Sequence, residues 1–278
     1  MNRIYLKLYF IISAACFTLL PSLEASNNKL FYDAVRAEAS GDLVKAVDIY
    51  CKITESEHSA NLHANLANLY FKLEDYARAI LHLRKAIWLD PENREHSTNL
   101  AFAMKMGGVE DQTDLGIGIG PAFSVYYQIH WLIAFNLLFW SGIFVALSFL
   151  QPSFRNAKVY VLGAFWVAGL IFLGWGWYQT TLNSTKLSRE VVAINATPQV
   201  DNLEKKLALR VFAGDGSEAN TRVPLGSSLF LDLDDNNHHR FHTSPNGDKW
   251  FLARSASGAN KGWVREEEIE SILDFPIQ

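Results

Sequence analysis

The chain has 278 residues, of which 49% are hydrophobic, and a formal net charge of −4. These averages fit one or two soluble domains, yet two long apolar runs hold much of the hydrophobic content and argue against a fully soluble protein. For a chain with this acidic charge balance we expect no nucleic-acid partner.

The N-terminus has the layout of a secretory signal peptide. Two basic residues, Arg3 and Lys7, precede an apolar stretch that Pro21 ends, and Ala25 supplies the small residue expected before cleavage. We therefore predict a signal peptide at residues 1–25. A retained anchor helix is the alternative.

Residues 26–107 are predicted to form helical repeats of the tetratricopeptide (TPR) type. The stretch NLHANLANLYFKLEDYARAILHLRKAIWLDPEN has small and aromatic residues at that repeat's spacing when Pro91 is taken as the closing proline. The packing positions then hold Leu66, Ala67, Tyr70, Tyr76, Ala79, Leu83, Ala86 and Ile87. A looser copy lies upstream, and the first helix of another copy lies downstream. We expect two helical hairpins and a closing helix.

The usual work of such an array is to hold a peptide segment or helix in a groove formed by the first helix of each pair. We predict that partners bind at Asn61, Ala64, Asn65, Asn68, Phe71 and Asn99. An asparagine amide can bond both the donor and the acceptor of a peptide group. Alternatively, Asn65 and Asn99, which share one repeat position, bond the neighbouring helix instead.

Residues 108–130 are predicted to be a linker, because the glycine spacing of LGIGIGP does not match a nucleotide-binding loop. The chain has no recognisable nucleophile motif, phosphate loop or HExxH sequence. We expect no enzyme activity, no catalytic residue and no cofactor.

Two charge-free runs at residues 131–150 and 159–178 are predicted to span a membrane. A helix of about 20 residues is roughly 30 Å long, the thickness of a bilayer core. Arg155 and Lys158 are the only charges of the intervening loop, 151–158, so the positive-inside rule places this loop in the cytoplasm and both flanks outside. Asn136 is predicted to form a hydrogen bond between helices.

After a polar connector at residues 179–187, short apolar alternations predict a small all-β domain at 188–278. Trp250 and the sequence Gly262-Trp263-Val264 give this segment a resemblance to bacterial SH3-type barrels. The acidic and histidine-rich stretch LDLDDNNHHRFH is interpreted as a solvated loop. A metal site there is the alternative, but the spacing fits neither a calcium loop nor a zinc site.

The predicted fold class is a multi-domain membrane protein with TPR hairpins, a two-helix transmembrane hairpin and a C-terminal SH3-like barrel. This order of parts resembles the BatE proteins of the Bacteroides aerotolerance operon. The resemblance implies a scaffold on the extracytoplasmic side of the bacterial cytoplasmic membrane. It also implies partners of the von Willebrand type and a MoxR-type ATPase. An anchor or sensor that binds peptidoglycan and recruits a wall enzyme remains the alternative.

Overall fold

The computed structural model describes residues 28–109, 127–150, 157–196 and 206–273. The predicted signal peptide, most of the predicted linker and residues 151–156 of the predicted cytoplasmic loop lie outside these ranges. The described part comprises a helical array, a pair of long helices and an antiparallel β-sheet.

The helical array contains two hairpins and a closing helix, in the order that the repeat pattern predicts. Its helices are α1 (28–39), α2 (Leu43–Thr54), α3 (Ala60–Lys72), α4 (Tyr76–Leu89) and α5 (Arg94–Met106). Helices α2 to α5 each begin after a side chain that accepts a backbone hydrogen bond from the first turn, namely Asp42, Ser59, Asp75 and Asn93. These caps satisfy amide groups that the helix itself cannot bond, which fixes where each helix starts.

Two long helices, α6 (Gln128–Leu150) and α7 (Ala157–Leu187), run antiparallel to each other. A side chain at Gly176 would collide with the Trp131 ring, and one at Gly142 would collide with the Trp166 ring. The Trp166 indole nitrogen also donates to the Leu138 carbonyl oxygen at 2.8 Å. Glycine at these positions therefore lets large aromatic rings pack between the helices. Among the described residues, one helix, Tyr160–Leu187, is long and apolar enough to cross a membrane.

Helix α7 is longer than expected, because it includes the residues 179–187 that we predicted to be a connector. The Thr180 and Thr181 hydroxyls donate to the Trp177 carbonyl oxygen at 2.8 and 2.9 Å. Thr185 donates to the Thr181 carbonyl oxygen at 3.1 Å. These bonds satisfy the polar side chains within the helix, so their polarity does not end it.

Within the part of the chain that the structure describes, Asn136 does not form the predicted hydrogen bond between helices. Its side-chain nitrogen donates to the Leu132 carbonyl oxygen at 2.9 Å, within its own helix, and the side chain is exposed on α6 rather than directed at α7. The α6 residues that contact α7 are apolar or aromatic along most of the interface, and the amide lies on another side of the helix.

The C-terminal region is an antiparallel sheet. Its strands are β1 (Glu190–Ala193), β2 (Lys206–Arg210), β3 (Ala219–Pro224), β4 (Ser228–Leu231), β5 (Phe241–Thr243), β6 (Lys249–Ser255), β7 (Lys261–Arg265) and β8 (Ile269–Ser271). The strand order is β3-β2-β7-β6-β4-β1-β8, and β5 pairs with β6. The dipeptide Asn246-Gly247, which is typical of hairpin turns, lies between β5 and β6. A short 3-10 turn, Glu266–Glu268, connects β7 to β8.

A buried ion pair joins β2 to the short turn before β8. Arg210 donates to both carboxylate oxygens of Glu268 at 2.9 Å, and both side chains are almost fully buried. The Arg210 guanidinium lies over the Trp250 ring at 4.9 Å, and Arg265 lies over the same ring at 5.3 Å. The buried tryptophan of β6 therefore contacts two cations, one of which is fixed by the turn before β8.

The helical array and the sheet meet in one shared apolar cluster, and each also has an apolar cluster of its own. Ile80 and Leu81 of α4 pack in the same buried cluster as Val192 of β1 and Ile272, which follows β8. Gly226, before β4, lies so close to the array that a side chain there would collide with the Ile80 side chain. The two regions are therefore in direct contact along α4.

Charged residues complete this contact. The Arg84 guanidinium donates to the Glu190 carboxylate at 2.5 Å, and the Ser228 hydroxyl donates to the same carboxylate oxygen at 2.7 Å. Lys85 donates to Glu270 at 3.0 Å. Only 6% of each of the Arg84 and Lys85 side chains is exposed, so the sheet covers the part of α4 that would otherwise face solvent.

We expect Glu190→Gln to destabilise the protein by about 3 kcal/mol, because it removes the charge that faces a buried guanidinium. The measurement is a urea unfolding curve of the purified full chain in detergent, followed by circular dichroism. Asp48→Asn is the control, since it removes the carboxylate of an exposed ion pair with Lys52 and should leave the midpoint unchanged. Equal midpoints for both variants would contradict the expectation.

Candidate functional site

The candidate binding site is the surface that the first helices of the repeats, α1, α3 and α5, form side by side. Lys72 of α3 donates to Glu38 of α1 at 2.7 Å. Phe71 of α3 contacts Phe102 of α5, with ring centroids 5.3 Å apart. These contacts place the three helices next to one another. We call this surface the groove.

The structure brings the predicted binding residues together in the groove, with different degrees of exposure. On α3, Asn61 and Asn68 are exposed, while Ala64 and Asn65 are half-buried. Their spacing of three and four residues puts all four on one helix face. The Asn65 side chain lies next to the Tyr50 hydroxyl of α2 and lowers its pKa, whereas burial and the charge of Glu38 raise it.

The remaining two predicted residues lie at the boundary of α3 and α5. Phe71 is half-buried, because it packs against Tyr76 as well as Phe102, with ring centroids 5.3 Å apart in each case. Asn99 is half-buried and lies one turn before Phe102 on α5. Asn61 and Asn68 are therefore the predicted amides with the greatest access to a partner.

Sequence reasoning missed the apolar part of the groove. Tyr32 is 70% exposed and Phe102 is 54% exposed, and Val35 and Met106 are also exposed. The repeat register was the signal that could have identified them. Tyr32 and Val35 occupy in α1 the positions that Asn65 and Asn68 occupy in α3, and Phe102 occupies the position of Asn68 in α5.

The groove combines exposed apolar rings with uncharged amides. Its one cation on α3, Lys72, is already paired with Glu38. Because exposed aromatic side chains are costly in water, a groove of this kind favours a partner segment that brings its own apolar side chains. The amides of Asn61 and Asn68 can bond the peptide groups of such a segment.

A buried cluster of histidine and aromatic rings lies behind the groove. His63 of α3 and His82 of α4 share a hydrogen bond between their Nδ1 atoms at 3.0 Å. His82 also stacks on Tyr70, with ring centroids 5.4 Å apart. The Tyr70 hydroxyl lies 3.9 Å from the Cys51 sulfur of α2. This cluster connects the groove helix α3 to the helices on either side of it.

Burial lowers the pKa of His82 well below its ordinary value, and the neighbouring His63, Lys85 and Arg78 lower it further because they disfavour another positive charge. Burial raises the pKa values of the Tyr70 hydroxyl and the Cys51 thiol. Lys85 also donates to Glu270 of β8, and Arg78 donates to Asn195, which follows β1. Protonation of His82 would therefore place a charge next to the contact between array and sheet.

The acidic and histidine-rich stretch between β4 and β6 is held by ion pairs to β6 and β7 and by hydrogen bonds of its own. Asp232 pairs with Lys261 at 2.6 Å and with Arg254 at 3.3 Å. The Asp234 carboxylate accepts from the backbone nitrogens of Asn236 and His238. Within the described ranges, no group of three or more His, Cys, Asp or Glu side chains is arranged to hold a metal ion.

The comparison with protein families agrees with the geometry of the array. The family model of the tetratricopeptide repeat matches residues 60–93, which include α3 and α4. No curated protein matches the chain. This repeat indicates a role in protein–protein interaction.

We expect the array to lose stability as the pH falls below 6.5, the ordinary pKa of histidine. The pKa of His82 is lowered in the folded state, so below this pH the unfolded chain binds the proton more readily. The loss should reach up to roughly 1.4 kcal/mol for each pH unit. Thermal unfolding of the full chain at pH 7.5 and pH 5.5 measures it.

His82→Gln should reduce this pH dependence, because glutamine can hydrogen-bond His63 without titrating. His58→Gln is the control, since His58 is exposed and stacks on the other side of His63. An identical pH dependence in the wild type and in His82→Gln would contradict the assignment.

Proposed function

We propose that this chain is a non-catalytic, membrane-anchored scaffold that binds protein partners through the groove of its TPR-type array. The observation that carries the proposal is the groove on α1, α3 and α5, where exposed aromatic rings lie beside the amides of Asn61 and Asn68. The sheet packs against α4 and leaves this groove open. Such an arrangement offers a binding surface on a rigid support, and the groove helices need no rearrangement to receive a segment.

The proposed anchor is the pair α6 and α7, both of which cross the bilayer. Helix α7 meets the length and apolarity that a crossing requires. Residues 131–150 of α6 contain no charged side chain. Exposed apolar residues cover the outer faces of the pair, including Leu137, Phe165 and Ile171. Water would disfavour such faces, whereas lipid would not.

The proposed sidedness follows from charge and from the contact between the two flanks. Arg155 and Lys158 favour a cytoplasmic position for the turn between the spans. The array precedes α6 and the sheet follows α7, and the two are in contact through Arg84 with Glu190 and through Lys85 with Glu270. This contact requires both flanks to lie on one side of the bilayer. We propose that this is the extracytoplasmic side of a bacterial cytoplasmic membrane.

The proposed identity of the sheet is an SH3-like domain. Trp250 lies in β6, Gly262-Trp263-Val264 forms the centre of β7, and a short acidic turn leads to β8. These are the features on which the sequence resemblance rests. By the same resemblance to BatE proteins, the proposed partners are envelope proteins of the von Willebrand type, in a complex linked to a MoxR-type ATPase.

We expect a photoreactive amino acid at Asn68 to form an adduct with a protein partner in intact cells. Phe102→Ala should reduce the adduct roughly tenfold, because it removes an exposed aromatic contact at the boundary of α3 and α5. The same photoreactive residue at Asp48, an exposed position on α2, is the control. Equal adducts at both positions, or no effect of Phe102→Ala, would overturn the proposed groove.

For the sidedness, we expect a membrane-impermeant thiol reagent to label a cysteine at position 240 in sealed cells and not one at position 155. Cys16→Ser and Cys51→Ala provide the background for both variants. Permeabilised cells should label at both positions, which controls for reactivity. Labelling of position 155 and protection of position 240 in sealed cells would contradict the proposed topology.

A further inference from the structure

Helix α6 has two apolar faces, and α7 covers only one of them. The covered face consists of Gln128, Trp131, Phe135, Leu138 and Gly142, at alternating intervals of three and four residues. Its residues contact α7 through the Gln128 bond to Thr181, through Trp131 against Gly176 and through Trp166 against Gly142. This is the spacing of a helix that packs along its length against another helix.

The second face has the same spacing and faces away from α7. It consists of Ile129, Ile133, Asn136, Trp140 and Ile143, at intervals of four, three, four and three residues. All five side chains are exposed, Trp140 to 62%. We call this face the outer seam. Leu137 and Phe139, which are 69% and 52% exposed, lie beside the outer seam on the same helix.

The centre of the outer seam is an amide. The Asn136 nitrogen donates to the Leu132 carbonyl oxygen of its own helix. An amide has two N–H donors and an acceptor oxygen, so this bond uses only one of the groups that can form hydrogen bonds. From Trp131 to Tyr178, the described helix faces carry no other carboxamide. In a bilayer, an outward amide has no water with which to bond, so a second helix that brings a polar group to the same depth would be favoured.

We propose that a second copy of this chain occupies the outer seam, with the two α6 helices parallel and each Asn136 beside the other. This inference rests on the proposed membrane anchor. Copies inserted with one topology have parallel α6 helices, and each residue then lies at the same depth in both. A two-fold axis that lies between the two α6 helices and parallel to them therefore places the two Asn136 amides side by side. A single asparagine in a heptad seam also fixes register and oligomeric state.

Disulfide trapping in membranes tests the proposal with the full chain. In the background Cys16→Ser and Cys51→Ala, single cysteines replace Ile133 or Trp140 on the outer seam, and oxidation should give disulfide-linked dimers. Ile171→Cys is the matched control. Ile171 is 68% exposed, and it lies near the depth of Asn136 because Leu138 packs at Gly169 and Phe135 at Gly174. We expect at least fivefold more dimer at the seam positions.

Asn136→Leu, added to Ile133→Cys, should lower the dimer's association constant roughly threefold to thirtyfold, whereas Asn136→Gln should retain the dimer. Because Asn136 does not contact α7, neither change should disturb the helix pair. Equal trapping at Ile171, no effect of Asn136→Leu, or adducts with other proteins instead of dimers would overturn the proposal. Release of the chain from membranes at alkaline pH would instead overturn the proposed anchor, so the two failures are distinguishable.

Discussion

The contact between α4 and the sheet determines how the other parts of the molecule are arranged. In a TPR-type hairpin the second helix commonly faces solvent on one side, yet every residue from Ala79 to Ala86 in α4 is buried. A helix buried on all sides must be covered on all sides. Here β1, β8 and the residue after β8 provide the cover, with apolar packing at Ile80 and Leu81 and ion pairs at Arg84 and Lys85. Because burial of an unpaired charge is costly, these ion pairs also make the contact specific.

Three consequences follow from this contact. The groove on α1, α3 and α5 stays accessible, since the sheet occupies the opposite part of the array. A short array gains a partner for its apolar surface, because its repeats otherwise bury that surface only against one another. The two ends of the helix pair are also held together, and Tyr127 at the start of α6 adds a bond from its hydroxyl to Glu92 at 2.7 Å. These contacts hold the groove at a fixed position relative to the helix pair.

The sequence predicted the parts of the fold that depend on local patterns. The repeat spacing predicted the helices α3 and α4, and the alternation of apolar and polar residues predicted strands such as β6 and β7. The dipeptide Asn246-Gly247 is typical of the turn found between β5 and β6. The contact between array and sheet could not be predicted in this way. Arg84 and Lys85 resemble ordinary solvent-exposed residues, and their partners lie 106 and 185 residues away in the chain. No local periodicity carries that information.

In the groove, too, only the residues that belong to a clear local pattern were predicted from the sequence. Asn61 and Asn68 were identified from the best-matching repeat, while Tyr32 and Phe102 lie in copies that match more loosely, where only the aligned register indicates their role. Asn136 was predicted to form a hydrogen bond between helices because an amide in an apolar helix needs a partner. The rule is physical, but the side of the helix on which the amide lies depends on packing, and the rings of Trp131 and Trp166 already fill the interface with α7.

A zero-length carbodiimide crosslink on the unmodified full chain tests the central contact most directly. The reagent joins a lysine to a carboxylate only when the two are in contact, and Lys85 lies 3.0 Å from Glu270. The account predicts a peptide that links Lys85 to Glu270, together with the link from Lys72 to Glu38 within the array, whose atoms are 2.7 Å apart. Recovery of the second link without the first would show that the array and the sheet are separate, and would contradict the account.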